Sequence, residues 1–373
     1  MMRPQNQTHS RWSKTWRLAA LTVTMVGIGL AGLGQAETST VGAQLAANSI
    51  ASYTSQPGVS GNFAIAGSDT MQPLMVKLLA AFKNWQPAVK SVVQGGGSDA
   101  ALRGFIQDQA TIRRGDAKNL GHHVSGSVAL LASSRALTSA EREDFLARYG
   151  FEPTEVPIAM DAVAIYVHRD NPVHGLTMEQ VDGIFSKDRK RGLPHAITKW
   201  GDLGIENAWG TQPINLYGRD KRSGTRTFFI HEALLDGTMN PAIKETPGSA
   251  SEILEVSRDP LAMGYAGTGF QASTVRVVPL ASKGGMAFVA PGPESALDGS
   301  YPLARHLYLY AKKAPDQALE PQILAFLSFI NSREGQETVT RAGYYPLSEN
   351  HVAKNLQILN GFLLSAQTQD GKQ

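Results

Sequence analysis

The chain has 373 residues, of which 42% are hydrophobic and 18% charged, a composition typical of globular proteins and a length sufficient for two domains. Its pI of about 8.9 would suit a nucleic-acid-binding protein, but four of the 35 basic residues precede Glu37, with no acidic residue among them. The rest of the chain has 31 basic and 32 acidic residues, so it is not basic and nucleic-acid binding is not expected.

The first residues are typical of a secretory signal. A basic flank precedes an apolar run at 18–33, and Gly34-Gln35-Ala36 is a small-residue cleavage site, which predicts a signal peptide over residues 1–36. An uncleaved membrane anchor is the alternative, but the run is glycine-rich and shorter than the roughly 20 residues that a span needs. Because the sequence contains no cysteine, the cleavage point cannot carry a lipid. We therefore expect a periplasmic or secreted protein, with a flexible leader at 37–60.

Three strand-and-helix units follow, and each strand ends in small polar residues. The strands are predicted at 63–66, 90–94 and 128–132. In an open α/β sheet, ligands lie beyond the carboxyl ends of the strands, so the repetition of these turns predicts one shared anion-binding site. The small polar residues of the three turns include Ser68, Asp69, Thr70, Ser98, Ser133 and Ser134.

The same turns also resemble ordinary helix caps. Asp69 and Ser98 each stand before a predicted helix, and Thr138 with Glu141 has the spacing of a capping box. Capping alone would explain any one of these turns, and only their repetition favours the anion site.

The next long apolar run, at 156–167, predicts a strand that is interrupted only by Asp161. An acid inside such a strand is costly unless it is paired or hydrogen-bonded. We expect Asp161 at a crossing between two domains, bonded to backbone amides, and a solvent-facing position is the alternative. A short amphipathic helix is predicted at 178–185.

The most informative segment is the strand-to-helix turn that contains Arg219. Ser223-Gly224-Thr225 opens a helix that Gly237 is predicted to close. A helix N-terminus presents unpaired N–H groups and the positive end of the helix dipole, and arginine offers five donors that match a tetrahedral oxyanion. On this segment alone, a helix cap with solvated arginines is the alternative. Further elements are predicted as helices at 251–256 and 322–330 and as strands at 263–267, 275–280 and 307–310.

Several segments occur together in one protein family. They include Ala66-Gly-Ser-Asp-Thr, Gln94-Gly-Gly-Gly-Ser, Lys199-Trp-Gly-Asp-Leu, Tyr217-Gly-Arg-Asp-Lys-Arg-Ser-Gly-Thr-Arg-Thr-Phe-Phe, Met263-Gly-Tyr and Gly343-Tyr-Tyr-Pro-Leu. Through them the chain resembles the phosphate-binding proteins of the bacterial high-affinity phosphate ABC transporter (PstS-like), over about residues 61–350.

This resemblance implies a type II periplasmic-binding-protein fold, with two α/β lobes joined by crossing strands that close on phosphate. The implied divisions are lobe 1 at 61–160, lobe 2 at 161–268, a return to lobe 1 at 269–365 and a tail at 366–373. It also implies a monomer that delivers inorganic phosphate to a membrane permease and ATPase complex. The implied phosphate contacts are the six turn residues given above with Arg219, Ser223, Gly224 and Thr225.

The sequence departs from the family pattern in two places. Some members have an aspartate at the position of Ser134, which accepts the proton of hydrogen phosphate and so excludes sulfate; Asp69 is the candidate substitute here. Where the family often has an acid and a glycine after the arginine, Asp220 is followed by Lys221 and Arg222. We expect Asp220 to brace Arg219.

Three other functions remain open, one of which is an envelope phosphate protein with a scaffolding or adhesion role. A receptor for another oxyanion, such as sulfate, molybdate or tungstate, would use the same fold. A secreted phosphatase would be an enzyme, but the chain lacks the nucleophile-elbow, zinc-protease and P-loop motifs. His122 and His123 lie in a predicted polar loop at 107–127 without a third ligand, so neither a metal nor a cofactor is expected.

Overall fold

The computed structural model describes residues 50–108, 128–314 and 317–370 as a mixed α/β protein. The eleven strands of these residues, β1 to β11, are Gly61–Gly67, Val89–Gln94, Leu130–Ser133, Thr154–His168, Leu176–Thr177, Asn215–Arg219, Lys244–Thr246, Ala262–Gly267, Val275–Val278, Leu280–Ala281 and Ala304–Ala311. The helices of the same residues, α1 to α10, are Gln72–Trp85, Ser98–Gln107, Ser139–Tyr149, Met178–Phe185, Gly224–Leu234, Ser249–Arg258, Pro293–Leu297, Pro321–Ile330, Arg333–Arg341 and Glu349–Asp370.

One mixed sheet organises the described part of the chain. Its strand order is β2, β1, β3, β11, β4, β8, β6 and β7, and β9 pairs separately with β4. β1 is parallel to β2 and β3, so the carboxyl ends of these three strands meet at one edge. β6 is likewise parallel to β7 and β8, which places the turn after Arg219 at the end of its own parallel group.

The strand β4 passes between two hydrophobic clusters. Its first half pairs with β11, and its second half pairs with β8 and β9. Val156 and Ile158 belong to the first cluster, with helices α1 and α8, whereas Val163 and Ile165 belong to the second, with α4 and α5. The first cluster draws on two distant stretches of chain, at 53–159 and 307–359.

The second cluster contains stacked aromatic side chains. The rings of Phe229 and Tyr265 lie parallel with centroids 4.0 Å apart, and Phe185 meets both rings edge-on. All three side chains are fully buried. This packing anchors α5 against β8, and it thereby fixes the position of the α5 N-terminus.

The predicted elements are confirmed in type, and their ends differ in places. α4 has the predicted bounds, and Thr138 with Glu141 forms the predicted capping box of α3. Gly237 does not close α5: the helix ends at Leu234, and Leu235 takes the left-handed conformation there, with φ of 51°. The prediction of Gly237 as the cap was wrong because it relied on the general preference for glycine at that position.

The leader and the termini lie only partly within the described residues. Residues 1–49, which contain the predicted signal peptide, lie outside them, as do 109–127 with the two adjacent histidines and 371–373 of the predicted tail. From Ile50 the chain packs against the protein: Tyr53 is buried against Phe82 and Phe329, and its amide donates to Glu334. Tyr53 and Val59 of the predicted leader therefore pack against the first cluster, and Ile50 belongs to a separate one. Within the described residues, no helix is long and apolar enough to cross a membrane.

Candidate functional site

The N-terminus of α5 forms the centre of the candidate site. Ser223 is its N-cap, as predicted, and its hydroxyl accepts a hydrogen bond from the amide of Arg226 at 3.3 Å. Ser223 and Thr225 are buried. A Cβ on Gly224 would lie 2.6 Å from Ser98 Oγ, so only glycine permits this close approach. The first turn of the helix is therefore pressed against the turn after β2.

Four hydroxyl groups from separate segments meet at this helix end. Thr225 Oγ1 lies 2.9 Å from Thr70 Oγ1 and 3.5 Å from Ser134 Oγ. Ser134 Oγ in turn lies 3.2 Å from Ser98 Oγ, which also accepts a hydrogen bond from the Ser134 amide. All four residues are buried. The structure thus brings together the turns after β1, β2 and β3 with the turn after β6, and we call these four side chains the hydroxyl cluster.

Arg219 lies beside the hydroxyl cluster and is 1% exposed. Its Nη1 donates to Ser249 Oγ at 2.6 Å, and its Nη2 donates to Asp69 Oδ2 at 3.1 Å. Thr70 Oγ1 lies 3.4 Å from the same Ser249 hydroxyl. The guanidinium is therefore held in one orientation next to the hydroxyls, as a site for a tetrahedral oxyanion requires.

The two neighbouring arginines have other partners. Arg222 is half-exposed and pairs with Asp220 at 2.6 Å, so Asp220 does not brace Arg219 by a hydrogen bond as expected. The physical reason is proximity, because a carboxylate two residues before an arginine can reach its guanidinium within the same turn. Arg226 donates to the carbonyl oxygen of Arg219 and to Glu245, and it stabilises the turn from outside.

Asp69 is not the cap of α1. The N-cap position belongs to Met71, which makes no side-chain cap hydrogen bond. Asp69 Oδ1 instead accepts from the amide of Gly96 at 2.9 Å, while Oδ2 accepts from Arg219. Burial raises the pKa of Asp69 above its ordinary value, against the opposing effect of the Arg219 charge. The carboxylate therefore belongs to the polar site, and the capping alternative for it is wrong.

Three other predicted residues have local roles in the turns. Ser98 is the first residue of α2, not its cap, since the N-cap is Gly97 with φ of 105°. The Ser133 hydroxyl donates to the carbonyl oxygen of Arg135 at 2.7 Å. Ser68 is buried, and its hydroxyl accepts from the Met71 amide at 3.4 Å. Phosphate contacts by these residues stay a prediction.

The strand residue Asp161 lies at the crossing, as expected, and it is fully buried. One of its oxygens accepts from the amide and the hydroxyl of Thr268, both at 3.1 Å. The other pairs with Arg305 at 2.8 Å, and Arg305 Nη2 also donates to Thr225 Oγ1 at 3.1 Å. Burial lowers the pKa of Arg305 from its ordinary value, and the facing carboxylate opposes that shift.

Sequence reasoning missed Ser249 and Arg305. Ser249 opens α6, but the predicted helix began only at residue 251. Arg305 precedes the apolar part of β11, and the predicted strand began at 307. The pattern Gly248-Ser249 before a helix could have indicated the first residue, whereas no sequence signal points to the second.

One further ionisable group is buried behind Arg219. Glu252 on α6 is fully buried, and its Oε1 accepts from the Tyr265 amide at 2.7 Å. Burial raises the pKa of this carboxyl to about 8, although the Arg219 charge acts in the opposite direction. Glu252 therefore holds its proton to a higher pH than an ordinary glutamic acid does, and Asp69 is the carboxylate that pairs directly with Arg219.

No cluster of metal-ligand type occurs in the described part of the chain, where no three histidine, aspartate or glutamate side chains are grouped to hold a metal ion. Apart from the Asp69 carboxylate, the polar site consists of hydroxyl donors, backbone amides and guanidinium groups. These are the groups that replace the hydration shell of an anion.

Comparison with known proteins gives a consistent result. Residues 51–334 match the family model of the PBP superfamily domain. The phosphate-binding protein PstS of Pseudomonas aeruginosa is 39% identical over 342 residues, which are 92% of this chain and 98% of that protein. The phosphate-binding protein PstS of Bacillus subtilis is 26% identical over 79% of this chain and 84% of its own.

Solved structures show the same fold at lower sequence identity. A substrate-binding protein from Clostridium perfringens, solved with bound phosphate, has a TM-score of 0.61 at 24% identity and covers 77% of this chain and all of its own. An ABC-type phosphate transport receptor from Vibrio cholerae has a TM-score of 0.56 at 21% identity, over 76% of this chain and all of its own. The mixed sheet with its crossing strands is therefore the type II periplasmic-binding-protein fold, as predicted.

Proposed function

This chain belongs to the PstS phosphate-binding proteins of the periplasmic-binding-protein superfamily, and we propose that it captures inorganic phosphate outside the cytoplasm for uptake by an ABC transporter. The observation that carries the proposal is the convergence of buried Arg219 with the hydroxyl cluster at the N-terminus of α5. The residues proposed to contact phosphate are Ser68, Asp69, Thr70, Ser98, Ser133, Ser134, Arg219, Ser223, Gly224 and Thr225.

The chemistry of these groups suits a phosphate dianion. A buried dianion without donors would be prohibitively unstable, and hydroxyls, amides and one guanidinium can replace the lost water. Micromolar binding corresponds to about −8 kcal/mol. A few hydrogen bonds to a charged group, at roughly 1.5–3 kcal/mol each, are sufficient for that affinity.

Asp69 supports the choice of phosphate over sulfate. Each carboxylate oxygen can accept more than one hydrogen bond, so the bonds from Gly96 and Arg219 leave acceptor capacity for the proton of hydrogen phosphate. Sulfate has no proton at neutral pH, and the carboxylate would repel it. We propose Asp69 as the selector in place of the aspartate that other members have at the position of Ser134.

The proposal extends to the partners and the location. We propose a monomer that is exported by the segment at 1–36 and that docks on a membrane permease and ATPase complex. The family is one of transport receptors, and we propose no catalytic role.

Isothermal titration of the purified mature chain with phosphate, sulfate and molybdate tests the function. We expect one phosphate per chain with a Kd in the micromolar range or below, and much weaker heats for the other two anions. Absence of phosphate binding, or equal affinity for sulfate, would refute the phosphate assignment. Preferred binding of molybdate would favour the other oxyanion receptor instead.

A further inference from the structure

A buried ion pair stands directly behind the candidate site. Asp161 on β4 and Arg305 on β11 are facing partners in the antiparallel register of the two strands. Their position is the point at which β4 passes from the first hydrophobic cluster to the second. Asp161 is fully buried and Arg305 is 5% exposed. Burial of two charges costs free energy unless both groups are hydrogen-bonded. The hydrogen-bond partners of Asp161 and Arg305 therefore indicate the role of the pair.

The guanidinium of Arg305 is held from several sides. Nε and Nη2 both donate to Asp161 Oδ2, at 3.1 and 2.8 Å, and the Phe228 ring lies 5.2 Å from its Cζ. The second oxygen of Asp161 is occupied by Thr268. Arg305 Nη1 has no hydrogen-bond partner among the described residues, and the contacts of Nε and Nη2 fix the pair in position. The two charges neutralise each other.

One contact leads from this pair into the site. Arg305 Nη2 donates to Thr225 Oγ1 at 3.1 Å. Arginine can only donate, so the Thr225 oxygen must accept in this bond and its own proton must point elsewhere. A hydroxyl oxygen has two lone pairs, and Thr70 at 2.9 Å can fill the second. Either hydroxyl can be the donor in this contact; when Thr70 donates, both lone pairs of the Thr225 oxygen are occupied and its proton is free to be donated to an anion.

We propose that Arg305 is a positioning residue, which orients the Thr225 hydroxyl as an obligatory donor to the bound anion, an inference that rests on the proposed phosphate-binding function. A hydroxyl that can rotate must be reoriented when the anion binds, and part of the binding free energy is then lost. A hydroxyl whose oxygen is held as an acceptor is already oriented. The Asp161 carboxylate neutralises the Arg305 guanidinium. The proposed gain in anion affinity therefore comes from the orientation of the Thr225 O–H bond and not from added positive charge.

A double-mutant cycle separates orientation from general structural support. The first change is Thr225→Val, which removes the hydroxyl at similar volume. The second is the paired change Asp161→Asn with Arg305→Gln, which removes both buried charges together and leaves the net charge unchanged. Phosphate Kd values are measured by isothermal titration for the full mature chain, for each change and for the combination.

We expect each change to weaken phosphate binding by about tenfold, the equivalent of one hydrogen bond to a charged group. The combination should be no more than a few-fold weaker than Thr225→Val alone, because Arg305 has no hydroxyl left to orient. Thr225→Ser should retain both the affinity and its dependence on Arg305. If the losses multiply to about a hundredfold in the combination, Arg305 acts independently of Thr225 and the inference is overturned.

A matched control uses another ion pair of the same strand. Arg142 pairs with Glu155 on β4, away from the hydroxyl cluster. The paired change Arg142→Gln with Glu155→Gln should leave the phosphate Kd unchanged. If the change at Asp161 and Arg305 prevents folding, Arg305→Lys keeps the charge for Asp161 and is used in the same cycle with the same criteria.

The outcomes also distinguish this inference from the function on which it rests. If the unsubstituted chain binds phosphate and the cycle is multiplicative, only the role of Arg305 is refuted. If the unsubstituted chain does not bind phosphate, the proposed function and the inference fail together.

Discussion

Replacement of Arg219 by alanine is the most direct perturbation of the candidate site. The side chain is buried and donates to Ser249 and Asp69. Arg305, the other buried arginine at the site, is paired with Asp161, so Arg219→Ala would remove the guanidinium that is not. It would also leave the Asp69 carboxylate without its cation next to an incoming anion. Truncation of one partner in a buried, charge-assisted interaction costs roughly 2–5 kcal/mol. At about 1.4 kcal/mol per tenfold, phosphate binding should weaken roughly 30-fold to several thousandfold.

Arg222→Ala provides a control of the same residue type from the same turn. Its side chain is half-exposed and pairs with Asp220, and an exposed pair of this kind is worth at most about 1 kcal/mol. We therefore expect less than a roughly fivefold change in phosphate Kd.

Both variants are titrated with phosphate at one ionic strength, after thermal unfolding has shown that they are folded. A single ionic strength is needed because salt screens exposed charges more than buried ones. Comparable losses in the two variants would refute the reasoning, since burial and contact with the hydroxyl cluster would then have no bearing on the affinity.

Three further predictions follow from the same structure. Asp69→Asn should preserve the fold and shift the ratio of sulfate to phosphate affinity roughly tenfold toward sulfate in competition titrations, because asparagine can donate as well as accept; an unchanged ratio would exclude Asp69 as the selector. The pKa of Glu252 is raised from 4.5 to about 8 in the folded chain. As the pH rises, Glu252 therefore ionises first in the unfolded chain, and its contribution to the free energy of unfolding falls by about 1.4 kcal/mol per pH unit between those two values. In urea unfolding, Glu252→Gln should therefore gain on the order of 3 kcal/mol relative to the unsubstituted chain between pH 5 and 7.5, and a constant difference would contradict the buried, protonated carboxyl. Small-angle scattering should show a smaller radius of gyration with phosphate than without, through closure about the segments at 157–162 and 266–275; an unchanged radius with binding confirmed would exclude hinge closure as the response to phosphate.

Local signals in the sequence were sufficient for the parts of the fold that depend on local chemistry. The capping box of Thr138 and Glu141 and the Ser223 cap each join residues that are three positions apart. Asp161 was also interpretable, because a lone acid in a buried strand must find partners, and it does so in Thr268 and Arg305. Periodicity, capping and the cost of buried charge act on short segments, so they are visible in the sequence.

The parts that were missed depend on partners far along the chain. Arg305 reaches a threonine 80 residues away, and Arg219 reaches Asp69 across 150 residues. Asp69 has the sequence context of a cap, but the competing amide of Gly96 and the guanidinium of Arg219 draw it away from its own helix. Asp69 could bond either to the amides of its own helix or to Gly96 and Arg219, and only the folded sheet determines which of these groups lie within hydrogen-bond distance.

The first hydrophobic cluster combines residues of 53–159 with residues of 307–359, so it cannot form until both stretches of chain have been synthesised. β3 lies between β1 and β11, and the first half of β4 pairs with β11, which comes some 140 residues later in the chain, and at Met160 with Tyr345. During synthesis from the N-terminus, residues 61–159 therefore have neither their last strand nor the helices α8 to α10 that cover them. Long-range pairing of this kind is slow, and the early segment cannot reach its native state until the chain is nearly complete. The topology that places the site at a crossing of strands thus also delays folding until β11 and the helices after it have been synthesised.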